Sequence, residues 1–253
     1  MRKKPKMFGK RGQLMIDGDP VLPIYFTQEV ADLSTDNIKA AETLLRFQGE
    51  SGKIYHFSRL TDQPDVLELH SVARPLFQAA KIKITQHLFE KGYKYIGFNI
   101  SLSQLFDDAW LVGIQELCFL ASQKYRDHRI VFEIIEQDLP ESHEDKDVEA
   151  ALLMLRGVGA QFAIDDFGKS GSSLLRLCRL RPEYVKLDRD LVTMISDNAF
   201  SKKLISSIVR ICQDNEIAVI AEGVETEAMS QSWRDIDVLL QQGYFFDRPC
   251  LRS

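Results

Sequence analysis

A closed α/β barrel of the (β/α)8 kind is what this sequence predicts, on three observations. From about Lys94 onward, short apolar runs of strand character alternate with longer stretches of helical period. The chain has 253 residues, which suits one barrel, although a prior of roughly 150 residues per domain would also allow two domains. Finally, polar residues recur near the C-terminal ends of the strand-like runs, which is where such a barrel carries its active site. Several strand-helix units in one chain of this length favour a closed barrel over an open sheet.

The elements follow in order. KYIGFNIS carries Asn99 and precedes the helical FDDAWLVGIQELCFLASQKY. RIVFEIIE carries Glu133, after which the acidic ESHEDKDVE reads as a solvated loop entering the helix DKDVEAALLMLRGVG. QFAIDDF closes on Asp165 and Asp166 ahead of SSLLRLCRL, and YVKLD carries Lys186 ahead of NAFSKKLISSIVRICQDN. IAVIAEGVE reaches Glu222, and VLLQQGYFF holds Gln242. No linker or low-complexity tract interrupts the alternation. One barrel domain over 19–253 is therefore expected, preceded by a basic, mobile segment over 1–18 that opens MRKKPKMFGKRG.

Composition excludes several classes. A formal charge of -5 argues against a partner that is a DNA or RNA polymer, because such binders usually present a basic domain or stripe. No apolar h-region follows the basic start, and no segment approaches the roughly 20 apolar residues of a membrane span. Cys118, Cys178, Cys212 and Cys250 are widely spaced and form no CxxC pair, so neither a zinc cluster nor a disulfide framework is expected, and a reducing cytoplasm fits.

Two adjacent aspartates behind an apolar strand need a cationic or hydrogen-bonding partner, because an unpaired buried charge is costly. A single acid at a strand end is as readily a helix cap. Stations carrying Asn, Glu, Asp-Asp, Lys, Glu and Gln are hard to explain as caps. Carboxylates and an amide oxygen, without histidine or cysteine, suit Mg²⁺ or Mn²⁺ rather than zinc. Two ions roughly 3.5 to 4 Å apart can share a carboxylate and activate a water against a phosphoryl group. Asp165 would bridge them, and Asp166 would hold one.

AETLLRF, over 41–47, resembles the Glu-Ala-Leu signature of the EAL-domain cyclic di-GMP phosphodiesterases. FNIS, FEIIE, DDFG, YVKLDRDLV, AEGVETE and QQGYFFDRP follow in that family's order and approximate spacing. The resemblance implies a TIM-like (β/α)8 barrel of the EAL type that hydrolyses cyclic di-GMP to linear pGpG in bacterial second-messenger signalling. It implies two divalent metal ions, Mg²⁺ or Mn²⁺, and a homodimer formed through the loop and helix after Asp166. Carried over by position, Glu42, Asn99, Glu133 and Asp165 are ligands of the first ion, and Asp165 and Asp166 serve the second. Lys186 would contact the attacking water or the phosphate, and Glu222 would position or deprotonate that water. Glu225 and Gln242 would complete the shell, while Gln28, Leu44 and Arg46 would meet the substrate.

The sequence departs from the family at several points. Glu29 replaces a proline beside Gln28, and Thr43 replaces the signature alanine. Lys169, Ser170 and Gly171 replace a Thr-Gly-Tyr segment in the loop after the aspartates, whose expected anchor is Glu136. The stretch GESGKIYHFSRLTDQPDVLELHSVARPLF matches weakly. An active phosphodiesterase is the first reading. A barrel without turnover, acting as a nucleotide receptor or protein-binding regulator, is the second. A hydrolase of another phosphodiester on the same metal site is the third.

Overall fold

The computed structural model describes residues 14–34, 39–57, 66–125, 127–134, 145–169 and 173–252. Glu136, Ser170 and Gly171 lie outside the described residues, as do 58–65 within the weakly matching stretch. Among the described residues the strands are β1 Met15–Ile16, β2 Asp19–Asp32, β3 Lys39–Gly49, β4 Ile54–His56, β5 Tyr93–Ile100, β6 Arg129–Ile134, β7 Ala160–Phe167, β8 Tyr184–Leu187, β9 Ala218–Ala221 and β10 Leu240–Gln242. The helices are α1 Val66–Glu90, α2 Asp108–Lys124, α3 Asp145–Gly157, α4 Ser173–Leu180, α5 Arg189–Asp197, α6 Ala199–Asp214 and α7 Glu227–Arg234. Among the described residues, no helix is long and apolar enough to cross a membrane.

Eight strands close into a barrel in the order β2, β10, β9, β8, β7, β6, β5, β3 and back to β2. From β3 round to β10 each ring neighbour is parallel, as the alternation predicts. The opening of the barrel differs, because β2 runs antiparallel to both β3 and β10. Consecutive strands joined without a crossover helix can pair only in this way. The hairpin β2–β3 continues beyond the ring, where β1 and β4 extend it. Leu14, Ile16, Val21, Phe47 and Tyr55 of this arm bury one another together with Phe77 of α1. Residues 14–16 of the N-terminal segment thus pack as part of the folded unit.

Strand alternation sorts the side chains. Phe98, Ile100, Phe132, Ile134, Phe162, Ile164, Val185 and Leu187 are buried in the main core with helix residues such as Leu88, Leu117, Leu152 and Val209. The alternate positions Gly97, Val131, Ala163, Tyr184 and Ala218 line a cavity of about 230 Å³ on the barrel axis. At the strands' C-terminal ends the same alternation sends Asn99, Glu133, Asp165, Lys186, Glu222 and Gln242 inward.

The last strands meet in close contact. Val224 N donates to the Gln242 carbonyl at 3.0 Å, and Phe245 N donates to the Val224 carbonyl at 3.0 Å. A Cβ at Gly243 would lie 2.1 Å from the Val224 carbonyl oxygen and 2.3 Å from its nitrogen, so the two backbones approach more closely than any side chain permits. Gly243→Ala should destabilise the protein by about 3 kcal/mol, the upper end of an overpacking penalty, because backbone rather than a rotamer must move. Urea unfolding measures this directly. A wild-type midpoint in the variant would disprove the close approach.

Candidate active site

Lys186 is the hub of the barrel mouth. Its side chain is 2% exposed, and Nζ lies 2.6 Å from Glu133 Oε2, 2.7 Å from Glu222 Oε1 and 3.2 Å from both Glu42 Oε2 and Asp165 Oδ1. These four carboxylates come from four strands or strand ends, and ring closure brings them together. Register explains part of the convergence: Gln28 pairs with Glu42, Glu42 with Gly97, and Asn99 with Glu133. Gly97 leaves the space that Glu133 fills, since a Cβ there would lie 1.9 Å from Glu133 Oε1. Asn99 Nδ2 donates to Glu42 Oε1 at 2.9 Å, and Gln242 Nε2 donates to Glu42 Oε2 at 2.8 Å.

A register irregularity between Ile164 and Phe167 marks the two aspartates. Asp166 takes a left-handed conformation, φ 53°, which aspartate tolerates better than most residues. Alternation points Asp165 to Lys186, while Asp166, at the irregularity, stands further out with its side chain 40% exposed. Lys169 reaches back to it, with Nζ 3.2 Å from Asp166 Oδ2.

The electrostatics follow from burial. Burial raises the Glu133 carboxyl well above its ordinary value, with Lys186 opposing the shift and Glu42 and Asp165 adding to it. Burial pushes Glu222 up to about 8, again against the pull of Lys186. For Lys186 burial works in the other direction, but the surrounding carboxylates prevail and hold the ammonium well above its usual range. Burial and the Asp165 charge raise Asp166.

Four carboxylates around one ammonium leave three more formal negative charges than positive. Asp165 Oδ1 is buried without a hydrogen bond despite its distance to Lys186, and so is Gln242 Oε1. An all-oxygen, charge-rich and partly unsatisfied set of this kind fits a hard divalent cation. The carboxylates are drawn onto the ammonium, and among the described residues no three acidic, histidine or cysteine side chains stand in ready ligand geometry. Residues that could hold a cation are Glu42, Asn99, Glu133, Asp165 and Asp166, with Glu222 beside them.

The remaining sequence-predicted residues are arranged around this cluster. Gln28 is buried beside Gln242 and donates from Nε2 to the Asp247 carbonyl at 3.0 Å. Leu44 and Arg46 follow Glu42 on the same face of β3, opposite Phe26 and Ile24. The Arg46 guanidinium lies 6.0 Å from the Phe26 ring centroid. Glu225 is outside the cluster, on the rim, where it accepts from Arg189 Nη1 at 2.7 Å. Thr43 donates to the Gly97 carbonyl at 2.6 Å, a bond that alanine could not make.

Three contributors escaped sequence reasoning. Gly97 could have been found as a glycine inside a strand, a mark of close approach. Asp188, in the quoted YVKLDRDLV, caps α5 by accepting from Asp190 N at 2.9 Å and lies 3.8 Å from Lys169 Nζ. Asp247, in the quoted FFDRP, receives Glu29 N at 2.9 Å and pairs with Arg252 at 2.6 Å. Glu29 also accepts from the Tyr93 hydroxyl. The residue that stands in place of proline is therefore tied to the C-terminal segment, and it holds its neighbour Gln28 in register.

Comparison with known proteins bears on the family and the fold. A family model described as EAL domain matches residues 23–249. The probable cyclic di-GMP phosphodiesterase PdeN of Escherichia coli (strain K12) is 30% identical over 182 residues, covering 66% of this chain and 34% of PdeN. The chain thus spans about a third of that relative's length. The crystal structure of an EAL domain protein from Listeria monocytogenes EGD-e superposes with a TM-score of 0.74 at 25% identity, covering 90% of this chain and 88% of that one. The manganese/cy-diGMP complex of Klebsiella pneumoniae BlrP1 has a TM-score of 0.72 at 23% identity, covering 94% of this chain and 58% of the other, a likeness of fold.

Proposed function

Since the chain belongs to the EAL domain family, whose model matches residues 23–249, we propose that it is a metal-dependent phosphodiesterase that hydrolyses cyclic di-GMP to linear pGpG in bacterial second-messenger signalling. The observation that carries this reading is the buried Lys186 hub with four carboxylates from separate strands at the C-terminal mouth of a closed barrel.

The proposed cofactors are two divalent ions, Mg²⁺ or Mn²⁺, held by Glu42, Asn99, Glu133, Asp165 and Asp166. When bound, they would supply Lewis acidity and an activated water. Glu222, with Oε1 2.7 Å from Lys186 Nζ, is placed to take the proton of the attacking water. Lys186 faces the negative charge that develops on the phosphoryl oxygens. Gln242 orients Glu42 through its amide, and Glu225 acts from the rim. Gln28, Leu44 and Arg46 receive the nucleotide, with Arg46 suited to a phosphate. Free Cys118, Cys178, Cys212 and Cys250 support a cytoplasmic setting. A single barrel domain and a homodimer through α4 complete the proposal. The exposed Leu174 and Leu175 of that helix support the dimer.

A second reading, a receptor for cyclic di-GMP without turnover, draws support from Lys169, whose ammonium sits on Asp166. Incubation of the purified chain with cyclic di-GMP and Mg²⁺ or Mn²⁺, followed by separation of the nucleotides, decides between them. The expected result is pGpG, abolished by EDTA and poorly supported by Ca²⁺, which accepts looser and higher coordination. Binding without pGpG would establish the receptor. Hydrolysis undiminished in excess chelator would refute the metal mechanism.

A further inference from the structure

We propose that Lys169 is a built-in counter-cation for Asp166, which competes with the second divalent ion and weakens its binding. The proposal rests on reading Asp166 as a ligand of that ion.

The turn that follows the aspartates aims the lysine. Gly168 adopts φ +101°, where a Cβ would lie 2.8 Å from Leu191, and Lys169 N donates to the Asp166 carbonyl at 3.2 Å. The chain therefore folds back on itself within three residues, and Lys169 Nζ comes to lie 3.3 Å and 3.2 Å from the two Asp166 oxygens. Asp188 Oδ2 supports it from the start of α5 at 3.8 Å. Both carboxylate oxygens of Asp166 thus face an ammonium.

A divalent ion on Asp166 at the roughly 2.0 to 2.2 Å of a hard-metal bond would stand within a few ångströms of this ammonium, at a distance where like charges repel strongly. The two cations are alternatives. Lys186 differs in kind: it is 2% exposed and enclosed, whereas the Lys169 side chain is 56% exposed. An exposed lysine leaves its partner at small cost, so the second ion is delayed rather than forbidden. The second ion would then need a higher concentration of the divalent cation than it would without Lys169, which makes cation supply a control on the site.

Manganese titration tests this, with free Mn²⁺ counted by electron paramagnetic resonance for wild type, Lys169→Met and Lys169→Arg. Methionine keeps the length without the charge, and arginine keeps the charge. The expected result is a second ion bound about two- to fivefold more tightly in Lys169→Met than in wild type, the size of an exposed ion pair, with the first ion unchanged and Lys169→Arg resembling wild type. Wild type that binds two ions as tightly as Lys169→Met would overturn the role of Lys169 and leave the carboxylate site standing. If none of the three proteins binds Mn²⁺, the reading of the site fails and the proposal falls with it.

Discussion

Lys186→Met is expected to lower turnover of cyclic di-GMP by about 10² to 10³, the loss typical of one electrostatic stabiliser, while affinity measured by calorimetry in Ca²⁺ changes little. The side chain is buried and within 3.2 Å of four carboxylates. Its ammonium therefore acts where negative charge grows along the reaction. A second effect separates this lysine from a merely structural one. Removing one partner of a buried ion pair costs about 3–5 kcal/mol, because the remaining charges lose their compensation. The variant should therefore be destabilised in EDTA and regain much of that loss in Mn²⁺, which supplies the missing positive charge, so the gap between melting temperatures with and without Mn²⁺ should widen relative to wild type. A variant that binds normally and turns over within about threefold of wild type would refute the catalytic role.

Asp165→Asn should be the most damaging single change at the site. The substitution keeps size and shape and removes the charge that the proposed ions share, so turnover should fall by about 10³ or more. Manganese affinity should fall for both ions, in contrast to Lys169→Met, which acts on the second. Asp165 adds to the upward shift of Glu133, Glu222 and Asp166. Removing its negative charge relieves that repulsion, and the metal-free variant should melt no lower than wild type. Calorimetry and thermal unfolding in EDTA measure these together. Wild-type turnover at saturating metal would show that Asp165 is not a shared ligand.

The site was legible in the sequence to different depths. Glu133, Asp165, Lys186 and Glu222 could be picked out because each breaks an apolar run at a strand end, and the barrel rule sends such residues to one mouth. Their convergence on Lys186 was not legible, since it depends on which carboxylates ring closure brings within reach of a single ammonium. Glu225 closes the AEGVE motif, yet it is held on the rim by Arg189, a partner 36 residues away in sequence. Glu29 departs from the family as a substitution and finds its reason in Asp247 and Tyr93, which lie at remote points of the chain.

By itself the sequence determined the barrel from Lys94 onward and the chemical type of the site, because strand period, helix period and an all-oxygen donor set are properties of short stretches. Tertiary structure decided the rest. The antiparallel entry of β2 follows from hairpin pairing and ring closure, which leave no mark on local periodicity. The left-handed backbone of Asp166 and the one-residue register shift beside it are likewise set by pairing with β8, which local sequence does not show. The two lysines of the site were distinguished in the same way: enclosure by four strands makes Lys186 a fixed charge, and a glycine turn makes Lys169 an exposed one, because the free energy of an ammonium depends on how much water and how many carboxylates surround it.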